Sequence, residues 1–179
     1  DANEFMQTLK VDFFSDIVFV FTPKGDVRDL VKGSTPLDFA YSIHSQIGNK
    51  CVGAKVNNRI VPISYELSSG DIVEIITSNS SKGPSTDWLN IVKTHQAKSK
   101  IRQWFKKQLQ EEHIIKGKEI LDKECKKKNT SLKQILTPEY IEYVLKKHRM
   151  PTMDNIYGAV GYGALTAIQV LGKAFSELD

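Results

Sequence analysis

The sequence predicts an α+β chain: a half-β unit over residues 17–78, then an all-helical domain over 87–179. Three observations carry that reading. Alternating and β-branched apolar runs at 17–31 and 51–77 enclose a single strongly signalled helix beginning at Thr35. A polar stretch with Gly and Pro, 79–86, follows and has the composition of a linker. Beyond it the apolar spacing is helical throughout.

Residues 1–16 hold one short apolar pattern, Phe5, Met6, Leu9, Phe13 and Phe14, expected to be a connector from an upstream element. The chain begins Asp1-Ala2-Asn3-Glu4 without Met, so a piece of a longer protein is expected. Ile17-Val18-Phe19-Val20-Phe21-Thr22 reads as a buried strand. Pro23-Lys24-Gly25-Asp26 turns the chain, because Pro presets φ and Gly permits a positive one. Asp26 to Val31 returns as the hairpin partner.

Thr35 is a good N-cap, Pro36 suits the first helical position, and Asp38 sits where a capping box needs an acid. Gly48 is expected to stop this helix. Leu37, Ala40, Ile43 and Ile47 share one face, with His44 at its edge beside Leu37 and Tyr41. Cys51 to Val56, a turn at Asn57-Asn58, and Arg59 to Ile63 read as a second hairpin. After a turn at Ser68-Ser69-Gly70-Asp71, Ile72 to Thr77 is the last strand. The order β-β-α-β-β-β fits a β-grasp (ubiquitin-like) fold, with one helix across one mixed sheet.

In the helical region, Thr86 or Asp87 caps a short helix through Trp88, Leu89 and Val92. One long helix is expected from 96 to about 128. Ile101, Trp104, Phe105, Leu109, Ile120 and Leu121 fall on its buried side, and Gly117 bends or interrupts it. Thr137-Pro138-Glu139 opens a helix to about Lys147, and Thr152 and Thr166 open two more.

Composition narrows the function. The 179 residues carry a net charge of +4, unevenly spread. Residues 1–81 sum to −3, residues 82–150 to +9 and residues 151–179 to −2. A concentrated basic segment suits phosphate contact, and it equally suits a solvated helical surface. No apolar run is long enough to span a membrane, and no signal peptide is visible. Two cysteines without Cys-x-x-Cys spacing argue against structural zinc and fit a reducing cytoplasm. The four histidines include no i, i+4 pair, and there is neither a phosphate-binding Gly-rich loop nor a Gly-x-Ser-x-Gly elbow. No catalytic residue, metal site or cofactor is expected in this chain.

Three places can carry binding. His44 can donate, accept and stack, although a lone helix-flank histidine is more often a packing residue. In Lys98-Ser99-Lys100-Ile101-Arg102-Gln103-Trp104-Phe105-Lys106-Lys107, the apolar residues pack inward while Lys98, Arg102 and Lys106 form an i, i+4 stripe. Such a stripe neutralises RNA phosphates or merely solubilises a helix. Gly161-Tyr162-Gly163 is suggestive of a helix-hairpin-helix, but a tight turn between packed helices is preferred.

The runs Val18 to Asp26, Gly33 to His44 and Gly70 to Ile75 resemble a TGS domain. Asp87-Trp88-Leu89, Ser99 to Lys107 and Gly161-Tyr162-Gly163 resemble the regulatory half of long RelA/SpoT (Rel) proteins, which make and often hydrolyse the alarmone (p)ppGpp. The resemblance covers nearly all of the chain. It implies a connector over 1–16, a TGS domain over 17–78, a linker over 79–86 and a helical domain over 87–179. It implies a non-catalytic sensor fragment of a cytoplasmic GTP diphosphokinase. His44 matches the histidine that contacts the 3′ CCA end of deacylated tRNA in the ribosomal A site. The basic helix, through Lys98, Lys100, Arg102, Lys106 and Lys107, would meet RNA backbone of tRNA and ribosome. The protein's own synthetase/hydrolase half is the further partner implied. The alternative is an autoinhibitory clamp or dimerisation module without RNA contact. At Gln96 and Lys98 many relatives carry arginine, and Gln96 offers no charge to a phosphate.

Overall fold

The computed structural model describes residues 16–178, so all of the expected N-terminal connector except Asp16 lies outside the described residues. The chain divides into two compact units at Phe105/Lys106.

In the first unit, β1 (Ile17–Phe21) and β2 (Val27–Val31) form the expected hairpin, with Ile17 opposite Val31 and Phe21 opposite Val27. β3 (Cys51–Val56) pairs antiparallel with both β4 (Arg59–Val61) and β5 (Val73–Thr77). A parallel bridge between Phe21 and Ile72 joins the two ladders, giving a mixed sheet ordered β2-β1-β5-β3-β4. Asn57 and Asn58 both take positive φ, 53° and 68°, which is the turn a two-residue hairpin loop requires. Val18, Val20, Leu30, Val56, Leu67 and Val73 pack on Phe39, making the two-layer core. This is the expected β-grasp arrangement.

The helix differs from expectation in one place. α1 runs Pro36–Ile43 and stops, and a second short helix, α2, runs Ser45–Asn49. His44 lies between them in extended backbone (φ −165°, ψ 144°), as C-cap of α1 and N-cap of α2. Gly48 therefore does not end the helix. It lies inside α2, where any side chain would overlap the Tyr41 ring.

α1 is buried nearly all round, from Pro36 to Tyr41, because it has cover on both sides. One side meets the sheet. The other meets Trp88 and Val92, from the segment containing α3 (Trp88–Ile91), and Ala97 and Ile101 of α4 (His95–Lys127). The first unit's core thus draws on residues 88–101, and Pro84 in the Gly/Pro stretch is itself buried. Gly83 sits so close to the Trp104 indole that no side chain fits there.

The second unit contains the rest of α4, then α5 (Leu132–Ile135), α6 (Pro138–His148), α7 (Met153–Tyr162) and α8 (Ala167–Ser176). Thr137, Thr152 and Thr166 cap α6, α7 and α8 through their hydroxyls, as their positions led one to expect. α5, capped by Ser131, has no counterpart in the sequence reading. Leu121, Cys125, Val144, Ile156, Val160, Val170 and Leu171 form the core. Tyr140 donates from its hydroxyl to the Val170 carbonyl at 2.6 Å, tying α6 to α8.

α4 is not interrupted at Gly117. A Cβ at Gly117 would overlap the Tyr157 carbonyl, and one at Gly161 would overlap the His113 carbonyl. The two glycines let the backbones of α4 and α7 touch. The Gly161-Tyr162-Gly163 run accordingly serves helix packing, with Gly163 as the left-handed C-cap of α7 at φ 93°. Leu109, expected on the buried side, is 52 % exposed, because it falls between the stretch of α4 serving the first core and that serving the second.

Candidate nucleic-acid interface

His44 owes its position to the cap chemistry on either side. Thr35 and Asp38 close a reciprocal capping box at the start of α1. The Asp38 carboxylate accepts from the Thr35 backbone N–H at 2.9 Å and from its hydroxyl at 3.0 Å. It also accepts from the Lys93 N–H at 3.0 Å, the Thr94 N–H at 2.8 Å and the Thr94 hydroxyl at 2.9 Å. The buried acid therefore has five donors, and it fastens the start of α1 to the segment that opens α4. Thr94 in turn accepts from the Ala97 N–H at 3.1 Å, which caps α4. Asp38 was legible as a cap but not as this clamp; the one sequence signal for its partner is Thr94 just before the long helix.

At the far end of α1, His44 is exposed. Its Nδ1 accepts from the Gln46 N–H at 3.0 Å, so in the neutral ring Nε2 carries the proton. The ring is thus held by one nitrogen and offers the other as a donor. On the buried side of the same break, the Tyr41 hydroxyl donates to Asn49 Oδ1 at 2.7 Å, and burial pushes its phenol well above the usual tyrosine range. Ile43 and Ile47, on either side of His44 in sequence, line a recess of about 230 Å³ with Phe39, Thr22, Pro23 and Ile75. His44 is thus a fixed, half-satisfied polar group in a break flanked by apolar residues, rather than a packing residue on the helix face.

The basic residues lie on α4. Lys98, Lys100 and Arg102 belong to its first part, and Lys106 and Lys107 open its second. Helical spacing puts Lys98, Arg102 and Lys106 in one row, and Lys100 and Lys107 in another on a different side. Arg102, Lys106 and Lys107 are exposed, while Lys98 and Lys100 are half-buried flanks of Ala97 and Ile101. Among the described residues the ion pairs are Lys126–Asp122 and Lys127–Glu124, so none of the five cations is neutralised by a carboxylate there. The described residues contain no cluster of His, Cys, Asp and Glu fit to hold a metal, and no helix long and apolar enough to cross a membrane. Burial pushes the thiols of Cys51 and Cys125 up, away from thiolate chemistry.

Comparison with known proteins agrees with this division. Residues 18–77 match the TGS domain, and residues 104–175 match the RelA/SpoT AH domain. The chain belongs to the RelA/SpoT family. It is 45 % identical to a GTP pyrophosphokinase of Myxococcus xanthus, over 95 % of this chain and 22 % of that relative. It is 48 % identical to a GTP pyrophosphokinase of Haemophilus influenzae, over 91 % of this chain and 22 % of the relative. A bifunctional (p)ppGpp synthase/hydrolase RelA of Mycobacterium tuberculosis is 38 % identical over 99 % of this chain and 24 % of its own length. The RelA/SpoT chain described here thus spans between a fifth and a quarter of the length of these relatives, and what it spans is the TGS and AH domains.

Proposed function

We propose that this chain is the non-catalytic regulatory segment of a GTP pyrophosphokinase of the stringent response. Its TGS domain reads the 3′ CCA end of deacylated tRNA on the ribosome, and its AH domain holds RNA backbone. The observation that carries the reading is His44, fixed by its Nδ1 in the break between two helices with Nε2 free to donate to a ribose or base. An amino acid on the terminal ribose would crowd such a site, so the uncharged end is preferred. Lys98, Lys100, Arg102, Lys106 and Lys107 supply sequence-independent attraction to phosphates. Engagement controls synthesis and hydrolysis of (p)ppGpp by the enzymatic half, because tRNA binds one state of the whole protein better than the other.

A second reading has its own support. Val31, Val52, Ile60 and Ile72 are each about half exposed or more, on strands of the β-grasp sheet or beside them. Exposed apolar residues in such number suit a protein surface, as an autoinhibitory contact with the enzymatic half would require. The two readings part on RNA binding. Affinity of the chain for the same tRNA, charged and uncharged, should favour the uncharged form by about tenfold, the size of one or two lost contacts. Equal affinity would remove 3′-end reading and leave the clamp.

A further inference from the structure

Within the second unit, α4 and α7 border a cavity of about 370 Å³ for which the reading above has no use. It is of a size ordinary for small-ligand sites. Gln110 and His113 of α4, Asp154 and Asn155 of α7, and Met150 and Tyr162 line it, and Gly158 leaves it open by contributing no side chain. The His113 and Tyr162 rings lie 5.4 Å apart, tilted by 59°, and form a corner of two flat faces. Tyr162 is 61 % exposed at the end of α7.

The lining chemistry selects a ligand class. No lysine or arginine lines the cavity, so it is a poor seat for phosphate. Asp154 takes part in no ion pair among the described residues, so its carboxylate is available as an acceptor. Gln110, His113 and Asn155, whose Oδ1 already accepts from the Thr152 hydroxyl at 2.6 Å, add acceptors and donors around it. Flat aromatic faces and a methionine favour a planar ring. A nucleobase satisfies both demands. Guanine does so best, since its ring N–H and exocyclic amine are adjacent donors that match the two oxygens of one carboxylate. Adenine, cytosine and uracil each present a single such donor group on that edge.

The phosphate of such a nucleotide has a place outside. Lys106, Gln110 and His113 follow at four and three residues on α4, so one helix row leads from an exposed cation into the cavity wall. We propose that this cavity takes one unstacked guanine base, with its sugar and phosphate outside on Lys106. The base can belong to an RNA loop or to a free guanine nucleotide. The RNA source rests on the RNA-binding role proposed above, whereas the pocket itself does not.

The test uses the chain as it stands, a labelled short oligouridine, and the same oligonucleotide carrying one central guanine. The guanine should raise affinity by about tenfold, as one stacked and hydrogen-bonded base does. Tyr162→Ala and Asp154→Asn should each abolish that increment, while Lys106→Ala should weaken both RNAs alike. Guanosine, without phosphate, should shift the His113 and Tyr162 ring resonances in the wild-type chain and not in Asp154→Asn. If both RNAs bind equally, Tyr162→Ala changes neither, and guanosine shifts nothing, the pocket assignment is wrong while RNA binding stands. If neither RNA binds, the RNA-binding role fails and guanosine decides alone: shifts lost in Asp154→Asn sustain the pocket with a free nucleotide as its source, and no shift overturns it.

Discussion

The two units are held together by different devices. The TGS unit depends on a charged side chain: Asp38 gathers five donors from two distant segments and so joins α1 to the start of α4. The AH unit depends on missing side chains: Gly117 and Gly161 let α4 and α7 meet backbone to backbone. In the first unit a polar network fixes how the helix break is presented. In the second, a close helix crossing positions a cavity. A carboxylate network is lost by removing atoms, and a close crossing by adding them.

Substitutions in opposite directions should therefore damage the two units. Asp38→Ala is expected to cost the most, about 4 kcal/mol, because it removes the one acceptor shared by the buried Thr35 N–H and the part-buried N–H groups of Lys93 and Thr94. Chemical denaturation followed at Trp88 and Trp104 checks this, and a loss under about 1 kcal/mol would demote the network to decoration. Gly117→Ala should cost about 3 kcal/mol through overlap with the Tyr157 carbonyl. Amide exchange should then accelerate in α7 and α8 while the β-grasp sheet keeps its protection, and uniform acceleration would argue against separate devices.

A smaller effect separates recognition from attraction. Neutralising Lys100, Arg102 and Lys106 together should reduce the slope of log affinity against log salt for tRNA by about 2–3, near the value for three lost phosphate contacts. The preference for uncharged tRNA should survive, because His44 is untouched. An unchanged slope would leave those cations as ordinary surface.

Much of the TGS unit was legible in the sequence because its signals are local. Thr35-Pro36-x-Asp38, Asn57-Asn58 and Ser68-Ser69-Gly70-Asp71 each name a turn or cap by residue type. The break at His44 was not legible. Nothing in the sequence around Tyr41-Ser42-Ile43-His44-Ser45 forbids a continuous helix, and the break is fixed by His44 serving as a cap for the next helix. The sequence placed His44 on the rim of a helix face, whereas it stands in a gap between two. In the AH unit the helices were visible from threonine caps and apolar period. Gly117 misled, because a glycine that bends a helix and one that admits another backbone look alike until the partner helix is placed. The cavity of Gln110, His113 and Asp154 carries no sequence motif, since α4 and α7 bring it together across forty residues of chain.

Reading of an uncharged tRNA end is proposed for His44. Its most direct test is (p)ppGpp synthesis by the full-length protein carrying His44→Glu, measured on ribosomes with deacylated tRNA in the A site. The substitution replaces the outward donor with an anion at an exposed position and removes the Nδ1 cap on the Gln46 N–H, so basal synthesis serves as the check that the fold is kept. Basal synthesis should stay near wild type and ribosome-stimulated synthesis should fall at least tenfold, through loss of one hydrogen-bond donor and its replacement by an anion facing RNA. Full stimulation in that variant would contradict the proposal.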